Sequence, residues 1–182
     1  MIFLETDRLL LRKFQDTDFE DFCAFAIDPE MCRMMGRDNI TDPDSARFTF
    51  HWLKDKEPRG YALVLKETNR VIGNLTVANV SSDLAKEPVL SGKKGCSLSF
   101  SLSRHYQRRG LMEEAVRAVI DKLFREEHMD YINYGHFDFN IPSANLQKKL
   151  GFEHLRTDII DIDGIETVCV ENILWNSPIP TK

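Results

Sequence analysis

The sequence lacks the signals of several common protein classes. Its four cysteines are scattered and include no Cys-x-x-Cys pair, which favours free thiols over a disulfide or zinc framework. No apolar run approaches the length that crosses a bilayer. The first residues show no basic segment followed by a long apolar stretch, so a secretory signal is not expected either. These absences predict a cytoplasmic protein without a membrane partner.

An excess of positive charge is also missing. The net charge of −5 at pH 7 argues against a nucleic-acid-binding surface, which is usually basic. An acidic surface is compatible with an amine or a basic polypeptide as substrate, although mild negative charge also serves solubility alone. The loops G-x-G-x-x-G and G-x-x-x-x-G-K-[ST] are absent, which disfavours a nucleotide-binding domain.

Length and pattern predict one domain with both helices and strands. The 182 residues, 42% of them hydrophobic, suit a single domain that we place at residues 1–176, followed by a loose tail at 177–182. Hydrophobic periodicity and turn residues predict the elements. Strands are expected at 9–12, 61–66, 71–78, 96–102, 131–139, 152–162 and 167–175, and helices at 16–26, from about 43, at 111–128 and at 143–150. That order predicts an α/β (α+β) three-layer fold, with a mixed, mostly antiparallel sheet and helices on both faces.

The most informative segment is residues 107–112, which reads Gln-Arg-Arg-Gly-Leu-Met and joins a strand-like run to a helix-like run. The first turn of a helix leaves backbone N–H groups unpaired, and the helix dipole makes that end partly positive. A pyrophosphate is therefore a natural ligand. Gly110 lets the backbone approach closely, and Arg108 and Arg109 add charge. An ordinary turn before a helix is the alternative interpretation.

Four ordered segments carry a resemblance to a known family. They are Gln107-x-x-Gly110-x-Met112, Asn140-x-x-Ser143-x-Asn145 with Leu150-Gly151-Phe152, the opening residues 5–12, and Asp161-Ile-Asp163-Gly164. Together they resemble the GNAT superfamily of N-acetyltransferases, and the Gly-Leu-Met form is similar to the branch that acetylates N-terminal alanine or serine of ribosomal proteins. Met112 departs from the family pattern, which usually has a small residue there.

The resemblance implies an enzyme that uses acetyl-CoA (coenzyme A) and a primary amine, possibly a protein N-terminus. It implies that the loop binds the cofactor through Gln107, Arg108, Arg109, Gly110, Leu111 and Met112. It further implies that the strand edge at Phe100 and Leu102 binds the pantetheine arm, and that Asn140 and Asn145 face the cofactor. The sequence leaves a homodimer open.

Two residues are the candidates for proton transfer. The resemblance implies that Ser143 protonates the leaving sulfur; the alternative is that Ser143 only caps the following helix. His136 is the candidate general base, because histidine titrates near neutral pH, and Asp138 is expected to share its face of the strand. A solvated or core histidine is the alternative. The remaining histidines are scattered and predict no metal site.

Two other functions stay open at this stage. A small-amine acetyltransferase, acting on a polyamine or an antibiotic, fits the same motifs. A non-catalytic acyl-CoA-binding module fits them as well, since a fold does not fix a function. Release of free thiol from acetyl-CoA separates an enzyme from a module.

Overall fold

The computed structural model describes residues 2–36, 40–162 and 164–176. It divides into two compact units, each made of two separate segments of the chain. The first unit comprises Met1–Val77 and Ser99–Ala118, and the second comprises Ala78–Leu98 and Val119–Lys182. The predicted tail at 177–182 and Asp163 of the predicted turn lie outside the described residues.

The described residues form a mixed, mostly antiparallel set of strands with helices between them, so the predicted fold class is confirmed. The strands are β1 (Ile2–Glu5), β2 (Leu9–Arg12), β3 (Gly60–Leu65), β4 (Arg70–Ala78), β5 (Gly95–Leu102), β6 (Tyr131–Phe137), β7 (Glu153–Ile162) and β8 (Ile165–Trp175). The helices are α1 (Phe19–Ala26), α2 (Pro29–Met35), α3 (Pro43–His51), α4 (Leu111–Arg125) and α5 (Ile141–Leu150).

In the first unit, β1, β2, β3 and β4 pair in sequence order and antiparallel, and the end of β5 follows β4. A β-carbon added at Gly73 in β4 would lie 2.3 Å from the carbonyl oxygen of Ser101 in β5, so only glycine fits there. Aromatic side chains of α1 and α3 pack below this sheet: the ring of Phe50 lies 5.5 Å from Phe22 and 5.6 Å from Phe14. These contacts fix the helices that line the cavity described below.

In the second unit, β6 pairs with its neighbours in two ways. It runs parallel to β5 over three residue pairs, from Gly95–Tyr131 to Ser97–Asn133, and antiparallel to β8 over its full length. β7 closes the hairpin with β8. The pairing positions His136 opposite Val170.

The sequence missed α2 and misplaced the buried face of α3. No helix was expected between 16–26 and about 43, but α2 occupies Pro29–Met35. The apolar residues Phe48, Trp52 and Leu53 were expected to face the core; Leu53 is buried, but Phe48 is 78% exposed and Trp52 42% exposed. Ala46 and Phe50 are buried instead. The helix starts where it was expected, and its inward face is set by tertiary packing, in which Phe50 contacts Phe14 and Phe22. In β6 the strand ends at Phe137, so Asp138 lies in a turn and the expected shared strand face with His136 is wrong.

Candidate active site

The loop at residues 107–112 has the geometry of an anion-binding turn. Arg108 and Gly110 both adopt the left-handed backbone region, with φ of 59° and 74°. Helix α4 begins at the next residue, Leu111, and the N–H of Glu114 donates to the carbonyl oxygen of Gly110 over 3.0 Å. This turn leads directly into the start of α4, and the first turn of a helix is a common anion-binding position in proteins. Binding of the cofactor by this loop stays a prediction.

Leu111 and Met112 are the first two residues of α4. Their side chains are buried, at 3% and 8% exposure, and lie on the apolar face of α4 with Ala115 and Val116. The helical periodicity read from the sequence is thus confirmed. The side chain of Met112 is buried in the core and does not fill the turn. A large residue at this position, where the family usually has a small one, therefore does not block the loop.

The side chain of Gln107 ties the loop to β5. Its Nε2 donates to the carbonyl oxygen of Leu102 over 3.0 Å and lies 3.5 Å from the sulfur of Met31. A role in cofactor binding stays a prediction for Gln107. The structure adds a positioning contact that fixes where the loop leaves the strand.

Arg8 is the residue that sequence reasoning missed here. Its Nη1 donates to the carbonyl oxygen of Arg109 over 3.0 Å, and a β-carbon added at Gly110 would lie 3.6 Å from its Nη2. The guanidinium therefore lies beside the turn and is half-exposed. The only sequence signal was that Arg8 falls within the opening segment 5–12.

Arg8 also neutralises a carboxylate at the start of α4. Its Nε lies 2.6 Å from Oε2 of Glu114, and its backbone N–H and the hydroxyl of Thr6 donate to Oε1. Burial alone would raise the pKa of Glu114, but these hydrogen bonds outweigh it and lower that pKa. Glu113 is paired in the same way with Arg117, at 3.0 Å. Both carboxylates at the start of α4 are thus compensated by arginine side chains.

The strand before the loop places Phe100 and Leu102 beyond the residues that pair with β6, since that pairing ends at Ser97. Between them, the hydroxyl of Ser101 donates to Oδ1 of Asn74 over 2.5 Å, and both residues are buried. Phe100 and Leu102 as backbone partners of a pantetheine arm stay a prediction.

A cavity of about 20 Å³ lies in the first unit next to Ser101. The described residues that line it are apolar or neutral: Phe22, Phe25, Ala26, Met31, Cys32, Met35, Ile40, Thr49, Asn74 and Ser101. That volume holds about one water molecule or a methyl group.

In the second unit, Asn140 caps α5 and Ser143 does not. The side chain of Asn140 accepts a hydrogen bond from the backbone N–H of Ser143 over 3.1 Å, and the helix begins at Ile141. The expectation that Ser143 caps this helix is wrong, because Pro142 within the first turn lets the helix start earlier. The hydroxyl of Ser143 is therefore not used for capping.

The buried Ser143 and the half-buried His136 belong to one polar cluster. Ser143 Oγ donates to the phenol oxygen of Tyr134 over 2.8 Å. Gln147 Nε2 lies 3.2 Å from Ser143 Oγ and 3.0 Å from His136 Nδ1, and Asn172 donates to Gln147 Oε1 over 2.6 Å. Sequence reasoning found Ser143 and His136 and missed Tyr134, Gln147 and Asn172.

Burial shifts the titration of both ring-bearing members of this cluster. Desolvation lowers the pKa of His136, while the hydrogen bond from Gln147 and the charges of Glu171 and Asp138 act in the opposite direction. Desolvation raises the pKa of Tyr134, against a smaller effect of the bond from Ser143. His136 is therefore neutral, and Tyr134 protonated, at physiological pH.

The structure groups the predicted residues in two sets. Gln107, Leu102 and Gly110 come together with Arg8 in the first unit, and Asn140, Ser143 and His136 come together in the second. Asn145 is exposed on α5 and has no contact with the cluster. Among the described residues, no group of three or more His, Cys, Asp or Glu side chains could hold a metal ion.

Residues 8–153 match the family model of the acetyltransferase (GNAT) domain. The chain belongs to this family. It is thus a GNAT N-acetyltransferase and uses acetyl-CoA as the acetyl donor.

Relatives of this GNAT chain differ in how much of it they cover. It is 27% identical over 154 residues to an uncharacterized N-acetyltransferase, p20, of Bacillus licheniformis, which covers 82% of each chain. A segment of 71 residues is 35% identical to the [ribosomal protein uS5]-alanine N-acetyltransferase of Escherichia coli (strain K12), covering 38% of this chain and 37% of that one. An acetyltransferase (GNAT family) structure from Bacillus anthracis shares the fold with a TM-score of 0.82 at 17% identity, covering 97% of this chain and 99% of the other.

Within the described part of this GNAT chain, no helix has the length and apolar character that crossing a membrane requires.

Proposed function

We propose that this chain acetylates the α-amine of a protein N-terminus, by direct attack of the free amine on the thioester of acetyl-CoA. Membership of the GNAT family supports the reaction. The segment similar to the uS5-alanine N-acetyltransferase supports the acceptor class. The four free thiols support a reducing compartment, and we propose the cytoplasm. Residues 1–176 act as one domain in this proposal, since the family match at 8–153 draws on both compact units.

The cavity beside Ser101 is the observation that carries the choice of acceptor. A polyamine carries several positive charges, and a site for it needs acidic partners. None of the described residues that line the cavity is acidic. A neutral lining with room for about one methyl group suits the side chain of an N-terminal alanine or serine.

The residues of the loop fit the diphosphate of acetyl-CoA. The backbone at residues 107–112 would bind it through N–H groups, with charge from Arg8, Arg108 and Arg109. Gly110 supports this fit, because it adopts a left-handed φ of 74° that glycine tolerates and its missing β-carbon would lie beside the Arg8 guanidinium, 3.6 Å from Nη2. Phe100 and Leu102, through their backbone, are the proposed partners of the pantetheine arm in the first unit. In the second unit, Asn140 and Asn145 stay predicted cofactor contacts.

The protein's chemical task is modest, since acetyl-CoA supplies an activated thioester. The chain must hold the two substrates and provide a proton to the leaving sulfur. We assign that proton to Ser143, whose hydroxyl is not a helix cap and contacts the phenol of Tyr134. The raised pKa keeps Tyr134 protonated. Once the Ser143 hydroxyl turns from Tyr134 to the sulfur and gives up its hydrogen, the phenol can donate its own to Ser143, and the proton that the amine loses on acetylation restores the balance.

The test is an acceptor panel with purified protein. Peptides that begin with Ala, Ser or Thr should release free thiol from acetyl-CoA, whereas spermidine and an aminoglycoside should react at least about tenfold more slowly in kcat/KM. A peptide with a blocked N-terminus and an internal lysine controls for ε-amines. Faster turnover of spermidine would overturn the acceptor assignment. If none of the amines on the panel causes thiol release, the proposed function is wrong.

A pair of variants tests the cavity directly. Ala26→Val adds volume to the cavity lining and should raise the KM for Ala- and Ser-peptides while leaving the KM for acetyl-CoA unchanged. Ala24→Val is the matched control, because Ala24 lies on the exposed side of the same helix α1. Equal behaviour of the two variants would remove the cavity from the acceptor site.

A further inference from the structure

Gln147 is a polar side chain in an almost fully buried position. It is 1% exposed and lies on α5. Burying an amide is costly unless its donors and acceptor are paired. Gln147 is paired with three side chains: Asn172, Ser143 and His136. The hydrogen bonds of Gln147 therefore determine which atoms of Ser143 and His136 carry hydrogens.

Asn172 sets the orientation of the Gln147 amide. Its Nδ2 donates to Oε1 of Gln147 over 2.6 Å, so Nε2 of Gln147 faces the other two partners. An amide nitrogen only donates. Ser143 Oγ and His136 Nδ1 must therefore both act as acceptors towards Gln147, at 3.2 and 3.0 Å.

Each acceptor then has one place left for its own proton. Ser143, which accepts from Gln147, directs its hydroxyl hydrogen to the phenol oxygen of Tyr134. His136, which accepts at Nδ1, carries the single proton of its neutral ring on Nε2. The opposite tautomer would direct an N–H at the Nε2 donor of Gln147, and two donors would face each other.

We propose that Gln147 is a positioning residue that holds His136 as the Nε2–H tautomer, so that the ring offers a hydrogen-bond donor at Nε2 instead of a base. The geometry of Asn172, Gln147 and His136 carries this proposal. Where it concerns the reaction it rests on the proposed function, but the state of the ring does not depend on turnover. It changes the role expected for His136 from proton acceptor to donor.

The charges around the ring oppose the neutral state but do not outweigh burial. Glu171 on β8 and Asp138 in the turn after β6 face His136, and both favour the protonated ring. Burial acts in the other direction and is the larger effect. For Nε2 to accept a proton from an amine, the ring would first have to move its own proton to Nδ1 and lose the bond from Gln147.

The experiment is long-range ¹H–¹⁵N NMR on histidine-labelled protein without substrates. The signals of His136 are assigned by their loss in His136→Asn. At pH 7.5 we expect the proton on Nε2 alone, with Nδ1 as the unprotonated nitrogen. This readout needs no activity, so its failure is distinct from failure of the acetyl-transfer proposal.

Two variants at the same position test the cause. Gln147→Glu supplies a carboxylate acceptor at Nδ1, and should move the proton to Nδ1 and raise the titration midpoint of His136 by about one pH unit. Gln147→Leu removes the donor and should allow both tautomers. Lys148→Gln, at an exposed position of the same helix, is the control and should keep the wild-type spectrum.

Either of two results overturns the proposal. One is a wild-type ring with its proton on Nδ1, or with both tautomers populated. The other is a folded Gln147→Glu or Gln147→Leu whose His136 spectrum matches the wild type. If both variants fail to fold, the wild-type spectrum alone decides between the two tautomers.

Discussion

The hydroxyl of Ser143 donates to the phenol oxygen of Tyr134 over 2.8 Å, nine residues away along the chain and in the buried part of the second unit. The sequence left two roles open for Ser143, proton donor and helix cap. Because Asn140 caps α5, the hydroxyl of Ser143 is available for the other role. In the proposed reaction, Tyr134 can pass its own hydrogen to Ser143 once the Ser143 hydroxyl has turned from the phenol to the leaving sulfur.

We predict that Ser143→Ala lowers kcat by roughly 10²-fold, the usual contribution of one general acid. The KM for acetyl-CoA should change little. Thermal unfolding of the same variant measures the structural cost, expected at about 1 kcal/mol for a lost buried hydrogen bond. Tyr134→Phe keeps Ser143 and removes the phenol oxygen, so it should lower kcat less than Ser143→Ala does. A Ser143→Ala variant with wild-type kcat would contradict the assignment.

The parts of the fold that the sequence predicted depend on local signals. Helix α4 combines a strong apolar periodicity with a glycine directly before it, and both are visible without tertiary contacts. Helix α2 was missed because Asp28-Pro29 was interpreted as a break. In the structure Asp28 is the cap, accepting from the N–H groups of Glu30 and Met31, and Pro29 occupies the first helical position.

The missed parts of the candidate site depend on contacts between distant residues. Arg8 meets Glu114 across 106 positions of the chain, and no local pattern marks that pair. Gln147 looks like a surface residue beside two lysines, Lys148 and Lys149. Its burial follows from how α5 packs against β6 and β8, which sequence periodicity alone does not determine.

We predict that Gly110→Glu weakens acetyl-CoA binding by at least about tenfold, equivalent to about 1.4 kcal/mol. The new side chain would add negative charge to a loop that binds a diphosphate. The left-handed φ of 74° also strains any residue other than glycine. Gly164→Glu is the matched control, since it has φ of 84° and open space in another turn. Equal cofactor affinity for the two folded variants, by titration calorimetry, would remove the anion-binding role of the loop.

We predict that Arg8→Ala raises the Kd for acetyl-CoA by about tenfold, the loss of one charge-assisted contact. It also leaves the carboxylate of Glu114 uncompensated at the start of α4. Arg8→Ala with Glu114→Gln should therefore recover part of the affinity. The Kd of S-acetylpantetheine, which lacks the diphosphate, should be the same for wild type and Arg8→Ala. A loss of affinity for that truncated donor would place Arg8 in a purely structural role.

We predict a pH-dependent stability difference at His136. Its pKa is lowered in the folded protein, so the unfolded chain binds more protons at this residue as the pH falls below about 6.5. The contribution of the neutral buried ring to stability is present above that pH and is lost as the pH falls through the folded pKa. Urea unfolding at pH 7.5 and 5.5 should show wild type losing more stability than His136→Asn. A constant difference between the two proteins would show that the ring titrates normally.

We predict that the pH dependence of kcat/KM belongs to the acceptor and not to His136. An α-amine titrates near pH 8 and attacks only as the free base, so with Ala-peptides the rate should rise from pH 6 to about 8 and then level off. An ε-amine acceptor should keep rising beyond pH 9, because its pKa lies above 10. If Gln147 holds His136 as a donor, His136→Asn lowers the rate without moving the rising limb. A limb that disappears or shifts in His136→Asn, with chemistry shown to be rate-limiting, would return the role of general base to this histidine.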